Sequence, residues 1–266
     1  MFQPLLNGVL RKAARHHCSK PFALRHGAPL VSFTFDDVPD SAETNGAAIL
    51  QSAGARGTFY IAGGICGQRD THWRVIDRDR VRALHDCGHE IGCHTFSHVP
   101  VDQLDARAMD EECGQNRDVL REICGDLEPT NFAYPFGRGS LPRKLQLQRR
   151  FDTCRGIYQG INTGTIDLAM LRVIELYDRT LTAEKLRRVL REVRERHGWL
   201  IFYTHDVAES PSWIGCSPQF MRATVKAVQA EGIAVMPVRE ALTALGYDAA
   251  ATARRSGVDT PRAFAS

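Results

Sequence analysis

The 266-residue chain sets 34 basic against 31 acidic residues, a net charge of +3, with 43% hydrophobic and 24% charged residues. That is the balance of a globular protein with enough apolar side chains for a large core. It argues against nucleic acid as a partner, because no basic stripe is interleaved with aromatics. No apolar run approaches the ~20 residues of a membrane span either.

In chain order, residues 1–27 read as an N-terminal extension with one helix. Its apolar residues precede Arg11 and Lys12, the reverse of a secretory leader, so a cytoplasmic location is expected. Eight scattered cysteines without a Cys-x-x-Cys pair fit reduced thiols in that compartment. The run Leu30-Val31-Ser32-Phe33-Thr34-Phe35 alternates and is rich in β-branched and aromatic residues, so it predicts a strand that ends in Asp36 and Asp37. Ser41 is placed to cap a helix through about Ala53, closed by Gly54. Residues 57–62 form the next strand, 80–88 a helix with a Gly stop, and 89–93 a strand that leads into His94-Thr95-Phe96-Ser97-His98. Asp105 to Cys124 predicts a long amphipathic helix with Met109, Cys113, Asn116 and Leu120 near one face.

Residues 130–134 then form a strand, 142–150 a basic helix, 153–157 a strand and 171–176 another. Thr182 caps a helix to Gly198. Its arginines alternate with Glu184, Glu192 and Glu195, the pattern of a solvated face. Trp199 to His205 is the most apolar strand, Ser217 or Pro218 opens a helix to Gly232, and 233–238 is the last strand. The domain is thus expected over 28–247, and the Ala-, Arg-, Ser- and Thr-rich residues 248–266 are expected to be disordered. Seven or eight β-α units without an internal linker predict an α/β fold with a parallel sheet covered by helices. Reactive side chains cluster at the predicted C-terminal strand tips, which favours a closed or nearly closed barrel, since sites assemble at that edge.

The chemistry is carried by two short stretches. His94 and His98 are four residues apart, a spacing that would put both imidazoles on one face of a helical turn. Two imidazoles and one of the carboxylates Asp36 and Asp37 make a three-ligand site with an open position, the arrangement of hydrolytic zinc enzymes. The other carboxylate is then free to act as a base. Imidazole and carboxylate donors suit Zn2+, with Co2+ or Ni2+ as alternatives.

These residues, with Ala133-Tyr134-Pro135-Phe136-Gly137 and Phe202-Tyr203-Thr204-His205, resemble the polysaccharide deacetylases of carbohydrate esterase family 4 over about residues 28–245. The resemblance implies a distorted (β/α) barrel and a metal-dependent N-deacetylase acting on an acetamido sugar in cell-surface polysaccharide or glycolipid biosynthesis. It implies Asp37, His94 and His98 as metal ligands and Asp36 as general base. It further implies that the backbone N–H of Phe136 helps bind the oxyanion and that His205 is the general acid. The family motif places Arg where this chain has Ala133. Arg155, at the next predicted strand tip, is the expected replacement to orient Asp36, with Arg138 next. The motif that supports the acid histidine is not recognisable, and Asp152 and Asp167 are the candidates for it. The expected substrate is an N-acetylated sugar, nucleotide- or lipid-linked, with Trp73, Trp213 and Tyr203 available to stack on the ring. Arginines around 138–155 would meet a phosphate carrier. Alternatives are a related C–N hydrolase or deformylase on a small amide, or a non-catalytic sugar-binding protein.

Overall fold

A computed structural model describes residues 3–24, 27–69, 71–125 and 127–248. Of the tail expected over 248–266, all but Asp248 lies outside the described residues. Helix α1 (Gln3–His16) and strand β1 (Pro21–Ala23) precede β2 (Leu30–Asp36), α2 (Ala48–Ser52), β3 (Thr58–Ile61), α3 (Arg78–Asp86) and β4 (Glu90–Cys93). Then follow α4 (Ala106–Cys124), β5 (Asn131–Ala133), α5 (Leu141–Leu147), β6 (Thr153–Gln159), β7 (Thr165–Asp167) and β8 (Leu171–Glu175). The chain continues through α6 (Ala183–Glu195), β9 (Trp199–Thr204), α7 (Pro218–Ala230), β10 (Ala234–Val235) and α8 (Val238–Ala244). Among the described residues no helix is long and apolar enough to cross a membrane.

Strands β2, β3, β4, β5, β6, β8 and β9 pair in parallel, and β9 closes back on β2 from Leu30–Trp199 to Phe35–Thr204. The expected α/β barrel is therefore a closed barrel of seven strands. The short β10 shares an edge of β2 with β3: it pairs with Leu30 and Val31, while β3 pairs with Thr34 to Asp36. Strands β1 and β7, absent from the sequence reading, form an antiparallel pair outside the barrel. The predicted strand 233–238 breaks at Pro237, which has no N–H to give a ladder and stands as the N-cap of helix α8, Val238 onward.

Alternation along β2 decides what fills the barrel. Val31, Phe33 and Phe35 pack beneath the helices with Leu190, Val193, Val225 and Val228. Ser32, Thr34 and Asp36 take the opposite face, toward the lumen. There the Trp199 indole N–H donates to Ser32 Oγ at 3.0 Å. The lumen is thus unusually polar and each group must be satisfied. At its N-terminal end Glu90 accepts from Thr58 Oγ1 at 2.8 Å, from Asn131 Nδ2, and from the Arg239 backbone N–H at 2.9 Å. Asn131 in turn accepts from Thr153 Oγ1 at 2.6 Å. Glu90 thereby serves α8 as the missing cap, since no side chain at the helix's own N-cap does so. Burial raises the Glu90 carboxyl, and these hydrogen bonds oppose the rise.

Ser41 does not cap the following helix. Residues Ala42–Ala47 form a π-helical turn, and Ser41 Oγ accepts from the Val207 N–H at 3.2 Å, while Asn45 Nδ2 donates to the Val207 carbonyl at 2.7 Å. The wide turn brings Gly46 against Phe35, where any Cβ would meet the ring at 2.7 Å. Asp77, Asp105, Thr182 and Ser217 do cap α3, α4, α6 and α7 with side-chain oxygens.

His89 sets an acid limit on this fold. It is buried, its Nδ1 accepts from the Gly57 N–H at 3.1 Å, and Phe59 meets its ring edge-on. Burial, aided by the Arg56 charge, pushes the imidazole down to about 4. The folded chain holds it neutral where the unfolded chain, near 6.5, binds a proton. Stability from this group is therefore full above about pH 6.5 and lost as pH falls toward 4. Urea denaturation at pH 7 and pH 4.5 should show a loss of order 2–3 kcal/mol on this account. That loss should shrink in His89→Asn, which keeps an acceptor for Gly57.

Candidate metal and acid-base site

The C-terminal ends of the strands open into one cleft of about 720 Å³. At its floor lie Asp37, directly after β2, and His94 and His98, directly after β4. Their ligand atoms all lie within 4.8 Å of one another. Asp37 Oδ1 is 3.3 Å from His94 Nε2 and 2.9 Å from His98 Nε2. That oxygen is buried yet receives no well-aligned hydrogen bond. His94 Nδ1 faces the Ala133 carbonyl at 2.8 Å, which leaves Nε2 to point at Asp37. Burial works against charge on Asp37, but the imidazoles of His94 and His98 beside it and the His205 charge hold its carboxyl well below the usual range. Burial likewise opposes protonation of His94, and the Asp37 bond with the Asp36 and Asp37 charges outweighs it, so the imidazole is raised.

The four-residue spacing of the histidines suggests a helical turn; the structure shows an irregular loop. Thr95 and His98 sit at φ of 59° and 53°. Asp37 and Val38 on the facing loop are also left-handed, at 56° and 43°. Each such non-glycine residue costs about 1 kcal/mol or more, so four of them around one floor mark a place where the surroundings enforce the backbone. A helix is avoided because the Phe96 and Ser97 N–H groups are taken by the Glu112 carboxylate, both at 2.8 Å.

Asp36 is buried beside this cluster, and Arg155 Nη2 donates to its Oδ1. The guanidinium is wholly buried between the Tyr60 and Tyr203 rings, 4.8 and 5.5 Å from their centroids. Burial favours losing its charge, but Asp36 outweighs that and raises its pKa. Arg138 points elsewhere, to Asp102 at 3.2 Å, so it does not stand in for Arg155. It also leaves the cleft, whose arginines are Arg69 and Arg179, with Arg179 over the Trp213 ring at 5.2 Å. The sequence expectation that arginines 138–155 face the substrate is corrected accordingly.

His205 Nε2 lies 4.0 Å from Asp37 Oδ2, and its ring stacks on Trp73. Its Nδ1 faces the Ile214 carbonyl at 3.2 Å. Neither expected acidic partner reaches it: Asp152 accepts from Tyr247 and Asp167 pairs with Lys144. Asp206 is occupied by the Ser212 N–H and hydroxyl, at 2.7 and 2.6 Å. Phe136 has φ of 57°, with its ring exposed at the cleft and 4.5 Å from His98. Trp73, Tyr203 and Trp213 line the same cleft. Sequence reasoning passed over Glu112 and the Ile214 carbonyl; the first resembles a solvated helix residue and the second is backbone.

Residues 24–152 match the family described as polysaccharide deacetylase. A chitin deacetylase from Pestalotiopsis sp is 30% identical over 105 residues, 40% of this chain, and the chain spans only 33% of that relative's length. The fold is similar to the peptidoglycan N-acetylglucosamine deacetylase Bc1960, with a TM-score of 0.59 and 17% identity over 82% of this chain and 90% of that one. It is also similar to a family 4 acetyl xylan esterase from Clostridium thermocellum solved with a cobalt ion, with a TM-score of 0.56 and 22% identity over 80% and 90% of the two chains. At these identities the structural likeness is one of fold.

The Asp36–Arg155 pair makes a stability prediction independent of any activity. Arg155→Met leaves a buried carboxylate unpaired and should cost about 3–5 kcal/mol. Adding Asp36→Asn should recover part of that loss in chemical denaturation. If the double variant is no more stable than the single, the pair is not what the arginine serves.

Proposed function

We propose, for a chain whose residues 24–152 match the polysaccharide deacetylase family, that it is a metal-dependent hydrolase removing the N-acetyl group of an acetamido sugar. The observation that carries this is the convergence of Asp37, His94 and His98 on one point at the floor of a substrate-sized cleft. One oxygen and two imidazole nitrogens fit a borderline divalent ion such as Zn2+, with Co2+ or Ni2+ as alternatives. Such an ion would polarise the acyl carbonyl and make water acidic enough to ionise near neutral pH.

The remaining steps belong to the chain's own residues. Asp36, fixed by Arg155, is the general base that takes a proton from the attacking water at its carboxylate. Arg155 touches Asp36 rather than substrate and acts as a positioning residue. The Phe136 backbone N–H donates to the carbonyl oxygen as negative charge develops there. His205 presents Nε2 to the cleft, with Nδ1 held by Ile214, and delivers a proton to the departing amine nitrogen. Trp73 and Trp213 flank the sugar, and Arg69 and Arg179 offer guanidinium groups to a phosphate. A nucleotide- or lipid-linked N-acetyl sugar, handled in the cytoplasm during cell-surface polysaccharide or glycolipid biosynthesis, suits that lining better than a long uncharged polymer.

Three measurements test this reading. Metal analysis should find one divalent ion per chain, lost in His94→Ala and in His98→Ala; full occupancy in both variants rejects the ligand set. Asp36→Asn should keep the metal while turnover falls by roughly 10²–10⁴-fold, whereas Asp37→Asn should lose metal first. Acetate release, compared at equal acetamide concentration, should favour nucleotide- or lipid-linked N-acetyl sugars over chitooligosaccharides. The reverse preference removes the carrier and compartment assignments, and no release from any N-acetyl sugar removes the deacetylase.

A further inference from the structure

We infer that Glu112, on α4, is a positioning residue that holds the His94–His98 loop in its ligand-ready form before any metal arrives. The inference rests on the metal reading above. Glu112 accepts from the N–H groups of Phe96 and Ser97, two of the three residues between the histidines, both at 2.8 Å. A single carboxylate thus spans the loop's turn. The loop has reason to need such a hold, because Thr95 and His98 are both left-handed and non-glycine. Its interior amides lack the i−4 carbonyls that a helix would provide.

The other side of the loop is fixed too. The Phe96 carbonyl accepts from the Gly64 N–H at 2.9 Å, and a Cβ on Gly64 would meet Phe96 atoms at 2.8–2.9 Å. Gly64 follows β3, so the loop is gripped between the β3 tip and α4. One turn further along α4, on the same side as Glu112, buried Asn116 completes the frame. Its Oδ1 accepts from the Gly63 N–H at 2.7 Å and its Nδ2 donates to the Ile61 carbonyl at 2.9 Å and to Cys93 Sγ at 3.2 Å. Cys93 is the residue before His94, so Glu112 and Asn116 register α4 against the start and the middle of the histidine segment. Glu112 is negative and only half-buried, so its two charge-assisted bonds can form without the full desolvation cost of a buried carboxylate.

The test compares wild type with Glu112→Ala, Glu112→Gln and the neighbouring Glu111→Ala, which loses only an exposed pair with Arg107. Hydrogen exchange of the metal-free proteins should show the Phe96 and Ser97 amides protected in wild type and freed in Glu112→Ala. Zn2+ affinity by competition with a chelator should fall roughly 10- to 100-fold, with the metal-free thermal midpoint within about 2 °C of wild type. Glu112→Gln keeps an acceptor oxygen and should recover most of the affinity; Glu111→Ala should change neither readout. Unchanged exchange and affinity in Glu112→Ala overturn the inference. So does a large fall in the metal-free midpoint that Glu112→Gln fails to rescue, since that marks a general structural role. If wild type binds no Zn2+, the metal reading fails, and the exchange data alone then decide: amides already unprotected in wild type reject the clamp, and protection lost on Glu112→Ala retains it.

Discussion

Two opposite charges buried against each other, Asp36 and Arg155, set the terms for everything above and below them in the barrel. An isolated carboxylate or guanidinium there would cost several kcal/mol, so neither can be placed without the other. Arg155 comes from β6 and Asp36 from β2, which are not neighbours in the sheet. Their contact therefore spans the lumen and ties opposite walls. Tyr60 and Tyr203 close over the faces of the guanidinium, and burial pushes the Tyr60 hydroxyl far above its usual range. Below this layer the polar ring of Glu90, Thr58, Asn131 and Thr153 satisfies itself and receives α8. Above it the floor of the cleft begins.

The floor is built from backbone in unfavourable conformations, and its supports come from outside the barrel. Val207 is read by Ser41 and Asn45 through a π-helical turn, so the loop after β9, which carries His205, is tied to the segment after β2, which carries Asp37. On the far side α4 ties the tips of β3 and β4. Four strand tips are thus coupled by polar side chains rather than by packing alone. Directional bonds suit this task, because they fix the orientation of a peptide where apolar contacts fix only its distance.

Much of this was legible in the sequence wherever a residue's position along an element decides its surroundings. The alternation of Leu30 to Phe35 and the apolar stripe of α4 named the barrel's first strand and a supporting helix. The reactive tips Asp36, Asp37, His94, His98, Arg155 and His205 follow from where strands end; the structure gathers five of them on one cleft and buries Arg155 beneath it against Asp36. Arg155 could be expected there because the chain lacked an arginine at Ala133 and the next strand tip offered one. What stayed hidden depends on partners distant in sequence or lacking a signature. The turn between His94 and His98 is decided by Glu112, on a different element, which overrides the helical reading of their spacing. The hold on His205 is a backbone carbonyl. Strands β1 and β7 are three residues each, too short for periodicity, and Pro237 turned an apolar run from strand to helix.

The clasp made by the first two dozen residues has a consequence for where this fold begins. Lys144 on α5 is wholly buried, yet its ammonium is partnered by Asp167 and by the carbonyls of Ala14 and His17 at 2.7 and 2.6 Å. Arg15 lies over the Tyr158 ring at 3.7 Å, and Lys20 reaches the Phe151 carbonyl at 2.8 Å. Two of the three partners that make a buried cation tolerable are therefore main-chain atoms of a segment that precedes the first barrel strand. Seen from Lys144, α1 is less an appendage than a stopper: its backbone completes the coordination of a charge born in the middle of the chain. The segment that completes this burial accordingly lies upstream of residues 24–152, the stretch that matches the family model.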